Sequence, residues 1–174
     1  TSARLPRTDF FIGAAVSPFK FKEEELIPQY FKLEKKIAAG ADFIITQQYG
    51  EEQAVHDWVL KYAKVPKPYA NEEYGYEGEG IRNQKGKPDA PGHGQSSDWV
   101  RRCAWSIAMA GGYATYGDWS KGTSWFYMGR PGPGRAAPQL KHLRRLFEAL
   151  PFSRMVVRDE LTTQGFCLAL PPQY

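Results

Sequence analysis

The sequence predicts an α/β fold in which parallel strands alternate with helices, of the (β/α) barrel type. A short apolar run followed by a helical stripe occurs four times in the 174 residues, at a spacing of roughly 30 to 40 residues. No Gly-x-Gly-x-x-Gly motif follows any of these runs, which favours a barrel over a dinucleotide-binding sheet. A complete barrel takes about 250 residues. The four units therefore amount to half a barrel.

The first two strand-helix units occupy the amino-terminal part of the chain. Residues 10–16 form an apolar run that predicts a buried strand, and Gly40 is expected to end the helix that follows. Residues 42–48 are apolar and β-branched and predict the second strand. The helical stripes of the two units are Leu26, Tyr30, Leu33 and Ile37, and then Val55, Trp58, Val59 and Tyr62.

The third and fourth units follow the same order with longer loops. Residues 67–73 predict a strand, and a Gly-rich loop then leads to a helix over 98–110 with Ser97 as its N-cap. Residues 112–117 predict the last strand. A further helix begins near Pro138, and an extended tail is expected over 151–174. The residues expected to face inward are Val100, Cys103, Ala104, Ile107 and Ala108, and then Leu140, Leu143, Phe147 and Leu150.

Composition fits one globular domain over residues 1–174 and excludes several classes of protein. The chain is 42% hydrophobic, and its net charge of +4 comes from 23 basic and 19 acidic residues that are spread along it. No segment resembles a nucleic-acid arm, a signal peptide or a membrane span. Cys103 and Cys167 lack metal-ligand spacing and are expected to be buried thiols, although a disulfide stays open. We expect a soluble protein without a metal; its compartment is not predicted.

Polar and aromatic residues stand where the predicted strands give way to loops, and in a barrel such positions carry the chemistry. A glycosidase needs two carboxylates and aromatic faces for the sugar, and Glu73 and Trp119 suit two of these requirements. A solvated acidic loop of Glu72, Glu73 and Glu77 is the structural alternative. The full set is Ser17; Gln47, Gln48 and Tyr49; Glu72, Glu73, Tyr74, Tyr76 and Glu77; Tyr116, Asp118 and Trp119.

Four segments follow one another in an order that resembles a known family. They read KPYANEEYGYEG, DWVRRCAWSIAMAGGYATYGDW, LKHLRRLFEALPF and GFCLALP. Together they are similar to the end of the apiosidase-like retaining glycoside hydrolases, in which the barrel is followed by a small β-domain named for collagen binding. The resemblance covers residues 44–174, and its most specific element is Glu-x-x-Tyr-Glu.

The resemblance implies roles for individual residues. Glu73 takes the place of the family's nucleophile, with Tyr76 and Glu77 completing its motif. Tyr116, Asp118 and Trp119 would line the site from the last strand, and Gln48 and Tyr49 from the second. For Arg101 and Trp105 we favour packing of the helix against the barrel. A family member carries its acid/base carboxylate after the fourth strand of the full barrel, in a half that this sequence does not contain.

The amino-terminal unit over residues 1–45 resembles a different barrel family, and the resemblance covers residues 8–47. The segments FIGAA, with Pro18, and LEKKIAAGADFIITQ are similar to methylenetetrahydrofolate reductase. There the strand ends in a folate-contacting glutamine, which would be Gln47, and the preceding helix helps hold a flavin near positions like Lys35 and Lys36. Two barrel families that meet within residues 42–48 indicate an engineered chimera. A natural sequence with a chance likeness is the alternative.

Three hypotheses on function follow. The first is a glycosidase-derived half-barrel that acts on a plant or microbial glycan without a cofactor. The second is an inactive engineered barrel scaffold, and the third a flavin- or folate-binding reductase relic. A half-barrel leaves sheet edges open, so we expect a homodimer or a second half-barrel, with Asp118 of the partner chain as the acid/base.

Overall fold

The structure is a computed structural model that describes residues 9–17, 20, 22–46, 68–77, 95–118 and 134–171. A four-stranded parallel sheet with the order β1-β2-β3-β5 lies at its centre. The strands are β1 (Gly13–Val16), β2 (Phe43–Thr46), β3 (Tyr69–Asn71), β4 (Tyr76–Glu77), β5 (Tyr113–Ala114), β6 (Gly117–Asp118), β7 (Val156–Val157) and β8 (Leu168–Ala169). The α/β class with parallel strands that alternate with helices is confirmed.

The strand register divides the sheet into two faces. One row of neighbours is Ala14, Ile44 and Tyr69, and another is Val16, Thr46 and Asn71. Because side chains alternate along a strand, these two rows point to the same face, where most members are buried. The hydroxyl of Tyr69 donates a 3.4 Å hydrogen bond to the carbonyl oxygen of Ile107 on this face. The described helices therefore cover one face of the sheet.

The helix α1 (Glu23–Ala38) follows β1 as predicted, and Gly40 terminates it with a φ of 103°. That conformation disfavours any residue with a Cβ. Three glutamates stand in the first turn, where negative charge is favourable to the helix dipole. Lys36, in the last turn, donates a hydrogen bond to the carbonyl oxygen of Ala15. The carboxyl end of α1 is thus tied back to β1.

The helix α2 (Ser97–Met109) buries the predicted stripe, which is Val100, Cys103, Ala104, Ile107 and Ala108. Its N-cap is Ser96, whose hydroxyl oxygen accepts a 3.1 Å hydrogen bond from the Trp99 N–H. The prediction of Ser97 as the N-cap is wrong by one residue. Ser96 has the extended backbone that an N-cap needs, whereas Ser97 is the first residue of the helix.

The helix α3 (Ala137–Glu148) has Pro138 in its first turn, as predicted. None of its residues is buried. Leu140, Leu143 and Phe147 are half-buried, and the two leucines pack against the core. The inward position predicted for Leu150 is wrong, because this residue lies beyond the end of the helix and is exposed.

Two other predicted elements need correction. The expected strand over 112–117 is divided between β5 and β6, which belong to different sheets, and β6 pairs in parallel with β4. The extended tail instead turns back on itself, so that β7 and β8 pair antiparallel. The Asp159 carboxylate accepts a 2.7 Å hydrogen bond from the Cys167 N–H, which closes this turn.

The remaining predictions on the fold have mixed outcomes. Cys103 and Cys167 are both free thiols, but only Cys103 is buried. The second helical stripe, Val55 to Tyr62, lies outside the described residues. None of the helices in the described part of the chain is long and apolar enough to cross a membrane.

Ile107→Ala tests the packing of α2 on the sheet. Ile107 is 1% exposed, so truncation removes buried methyl groups and leaves a cavity. The free energy of unfolding, measured by urea denaturation, should fall by about 2 to 5 kcal/mol. The matched control is Ile27→Ala in α1, where the side chain is 45% exposed. Equal losses in the two variants would contradict the burial of Ile107 in the core.

Candidate functional site

The predicted acidic motif lies where β3 ends, at the carboxyl edge of the parallel sheet. Its three glutamates differ in their surroundings: Glu72 is exposed, Glu73 is half-buried, and Glu77 is only 5% exposed. The alternative of a solvated acidic loop is therefore wrong for Glu77. The loop is instead a folded bend between β3 and β4 that gives each carboxylate a separate environment.

Asn71 holds the beginning of this bend. Its side-chain oxygen accepts a 3.3 Å hydrogen bond from the Glu73 N–H, a local turn typical of asparagine. The residue is fully buried, and its amide nitrogen Nδ2 has no partner among the described residues. Asn71 thus fixes the backbone of Glu73 at the start of the bend.

The Glu73 carboxylate is oriented by a neighbouring tyrosine. The Tyr76 hydroxyl donates a 2.6 Å hydrogen bond to Oε1 of Glu73, within the range of strong bonds to a carboxylate. No described residue is found to bond the second oxygen, Oε2. Within the described residues, the half-buried carboxylate of Glu73 is therefore held through one of its two oxygens.

Between these two residues, Tyr74 and Gly75 pack into the core. A Cβ on Gly75 would overlap the ring of Trp99, which explains the glycine at this place in the motif. Burial raises the pKa of the Tyr74 hydroxyl above its ordinary value, because ionisation in an apolar environment is unfavourable. This hydroxyl has no partner among the described residues. It stays a protonated donor.

Glu77 connects three parts of the chain. Its Oε1 accepts a 2.7 Å bond from the Arg135 N–H, and its Oε2 accepts a 2.9 Å bond from the Ala136 N–H. The Tyr116 hydroxyl donates a further 2.8 Å bond to Oε2. Gly134 lies so close that a Cβ there would meet both Glu77 and Tyr116. The carboxylate thus acts as the cap of α3.

Sequence reasoning missed this capping role. Ala136, at the N-cap position of α3, makes no side-chain cap hydrogen bond. A helix start without Ser, Thr, Asp or Asn is the signal that an acceptor must come from elsewhere in the chain. That acceptor is 59 residues away in sequence from Ala136. Local patterns do not identify it.

Of the other predicted site residues, the structure describes Tyr116 and the backbone of Asp118. Tyr116 is directed at Glu77 through its hydroxyl, and the backbone of Asp118 pairs with that of Glu77 in the small parallel sheet. The side chain of Asp118 and the residues Gln47, Gln48, Tyr49 and Trp119 lie outside the described residues. The substrate contacts assigned to Tyr76, Glu77 and Tyr116 stay predictions.

The described residues contain no cluster of three or more His, Cys, Asp or Glu side chains that could hold a metal ion. Comparison with known proteins yields no matching family model, no similar curated protein and no similar solved structure.

Glu77→Gln tests the capping role. The substitution places an NH2 group against backbone and hydroxyl donors, so the free energy of unfolding in urea should fall by about 1 to 3 kcal/mol. Tyr116→Phe removes one bond and should lower it by about 1 kcal/mol. Glu72→Gln, on the exposed neighbour, is the control and should leave stability unchanged. A stability loss in Glu72→Gln as large as in Glu77→Gln would contradict the assignment.

Proposed function

We propose that the chain is a half-barrel of glycoside hydrolase descent, with Glu73 as the nucleophile of a retaining reaction. The observation that carries the proposal is the Glu73–Tyr76 hydrogen bond at the carboxyl end of the parallel sheet. Reacting groups of (β/α) barrels stand at this end of the sheet. Glu73 is half-buried, and one of its oxygens is held while the other faces no described partner.

The first step of such a reaction forms a bond between a Glu73 oxygen and the anomeric carbon of the sugar. The bond from that carbon to the leaving oxygen breaks, and its electron pair goes to the leaving group. In the second step water attacks the same carbon, the bond between that carbon and the Glu73 oxygen breaks, and a proton of the water passes to a base, which is the second carboxylate or solvent. Tyr76 contributes by holding the carboxylate in one orientation.

A retaining reaction also needs a second carboxylate as acid/base, and the described residues do not provide it. Glu77 is engaged by three protein donors and cannot exchange a proton with a leaving group without losing the cap of α3. Asp118 of a second copy, expected from the sequence, stays the candidate. A leaving group that needs no proton avoids this requirement, because 2,4-dinitrophenolate departs as a stable anion.

Glu73 is tested with a panel of 2,4-dinitrophenyl glycosides. We expect wild type to release a burst of up to one dinitrophenolate per chain, with a glycosyl adduct on Glu73 detectable by mass spectrometry of its peptide. Glu73→Gln should abolish both burst and adduct, while Glu72→Gln should retain both. Equal release by wild type and Glu73→Gln, or no release from any glycoside, would instead support an inactive scaffold.

Tyr76→Phe tests the orientation of the nucleophile. Loss of a hydrogen bond to a charged group is worth about 1.5 to 3 kcal/mol, so the rate of the burst should fall roughly 10-fold to 100-fold. The burst amplitude should persist, because Glu73 itself is retained. A burst rate equal to that of wild type would show that Tyr76 plays no part in positioning Glu73.

A further inference from the structure

The two edge strands of the main sheet have one neighbour each. Within the described residues β1 pairs only with β2, and β5 pairs only with β3. Among the described residues, both edges therefore present unpaired backbone groups, which a strand of another chain can pair with. All four strands run in the same direction. One copy therefore has one edge formed by β1 and one edge formed by β5.

The face of the sheet opposite the helices is apolar and incompletely covered. None of its described side chains is buried, whereas parallel sheets are normally covered on both faces. By register and alternation, the residues of this face are Gly13, Ala15, Phe43, Ile45, Ala70 and Tyr113. This apolar face is the surface that would become the interior if the sheet closed into a barrel.

An apolar groove lies beside β5. It has a volume of about 880 Å³ and runs between α2, β5 and α3, with Ala108, Leu143 and Phe147 in its walls. At the amino end of β5 the rings of Tyr113 and Phe152 meet edge to face at 5.4 Å. The groove therefore flanks the edge at which a further strand would pair with β5.

The opposite edge of the sheet, at β1, carries an exposed apolar segment that could pack into this apolar groove. Residues Phe10, Phe11 and Ile12 directly precede β1 and are 74%, 72% and 52% exposed. Phe11 stacks on Phe43 of the apolar face with a ring separation of 5.2 Å. Because the strands are parallel, this segment and the aromatic end of the groove are both found at the amino end of the sheet.

We propose that two copies of the chain close one eight-stranded parallel barrel, in which β1 of each copy lies beside β5 of the other. A two-fold axis along the barrel keeps all strands parallel, pairs both edges and encloses the apolar face. The acidic first turn of α1 would then lie beside the groove rim of α3, which carries Lys141 and Arg144. This assembly is independent of whether Glu73 is catalytic.

Barrel geometry also predicts the register at the new interface. On going once around a barrel of this type, the hydrogen-bond register shifts by about eight residues, which is its shear. Each of two identical halves therefore accounts for a shift of about four residues. In the strand register of one copy, Ala15 pairs with Ile45, Ile45 with Ala70, and Ala70 with Tyr113. Ala15 and Tyr113 therefore lie at the same height in the sheet. A displacement of about four residues toward the amino end places Phe11 of one copy beside Tyr113 of the other.

The double variant Phe11→Cys, Tyr113→Cys tests this register in a Cys167→Ser background. Within one copy the two positions lie about three strand spacings, roughly 14 Å, apart, too far for a disulfide, which needs Cα atoms within about 7 Å. We expect mild oxidation to give a covalent dimer that only a reducing agent separates. A chain that stays monomeric, or that polymerises beyond the dimer, would overturn the closed arrangement.

Sedimentation equilibrium tests the assembly without any cysteine. Wild type should have about twice the chain mass of 19.7 kDa. Phe11→Lys should sediment as a monomer, whereas the control Phe31→Lys, on a 59% exposed residue of α1, should remain dimeric. Circular dichroism checks that both variants are folded. A wild-type monomer, or equal effects of the two lysines, would refute the proposal. A monomer that binds a small apolar dye in the groove would mark it as a ligand site instead.

Discussion

The buried carboxylate of Glu77 is the constraint on which the carboxyl end of this sheet depends. A charge removed from water is stable only when donors replace its hydration, and here two backbone N–H groups and one hydroxyl do so. Those donors belong to the start of α3 and to the segment between β5 and β6. Since Tyr76 precedes Glu77 in β4, the same contacts fix the tyrosine that orients Glu73. Candidate chemistry and helix capping thus share one short strand.

A second constraint is the division of the sheet into a covered and an uncovered face. Tyr69 and Ile44 are buried under the helices, while Ile45 and Ala70 alternate with them on the other side. Burial of apolar surface is the main favourable contribution to folding, and none of the described side chains on the second face is fully buried in a single copy. We therefore propose separate roles for the two parts of each strand: the polar ends form the candidate site, and the apolar middles form the surface that a second copy would cover.

Sequence patterns predicted the elements whose information is local. The stripe of α2, the glycine that ends α1 and the proline in the first turn of α3 all follow from spacing and backbone preference. The position of the N-cap missed by one residue because Ser96 and Ser97 are equally suitable by type. The division of residues 112–117 and the return of the tail were not predictable, since both depend on distant partners such as Asp159 with Cys167. The motif predicts Glu73 as a candidate, whereas its hydrogen bond to Tyr76 depends on side-chain orientation and the capping role of Glu77 on a contact between distant segments.

The separation in sequence between Glu77 and its partners at α3 also bears on how the chain reaches this state. The two backbone bonds span 58 and 59 residues, and contacts of such span lower folding rates because a long loop must close before they form. The helix α2 and β5 are adjacent in sequence and pack together, so their contact forms at little entropic cost. We therefore expect the cap of α3, and with it the final position of the bend between β3 and β4, to form late in folding. Until then the N–H groups of Arg135 and Ala136 lack the acceptor that Glu77 provides in the folded chain.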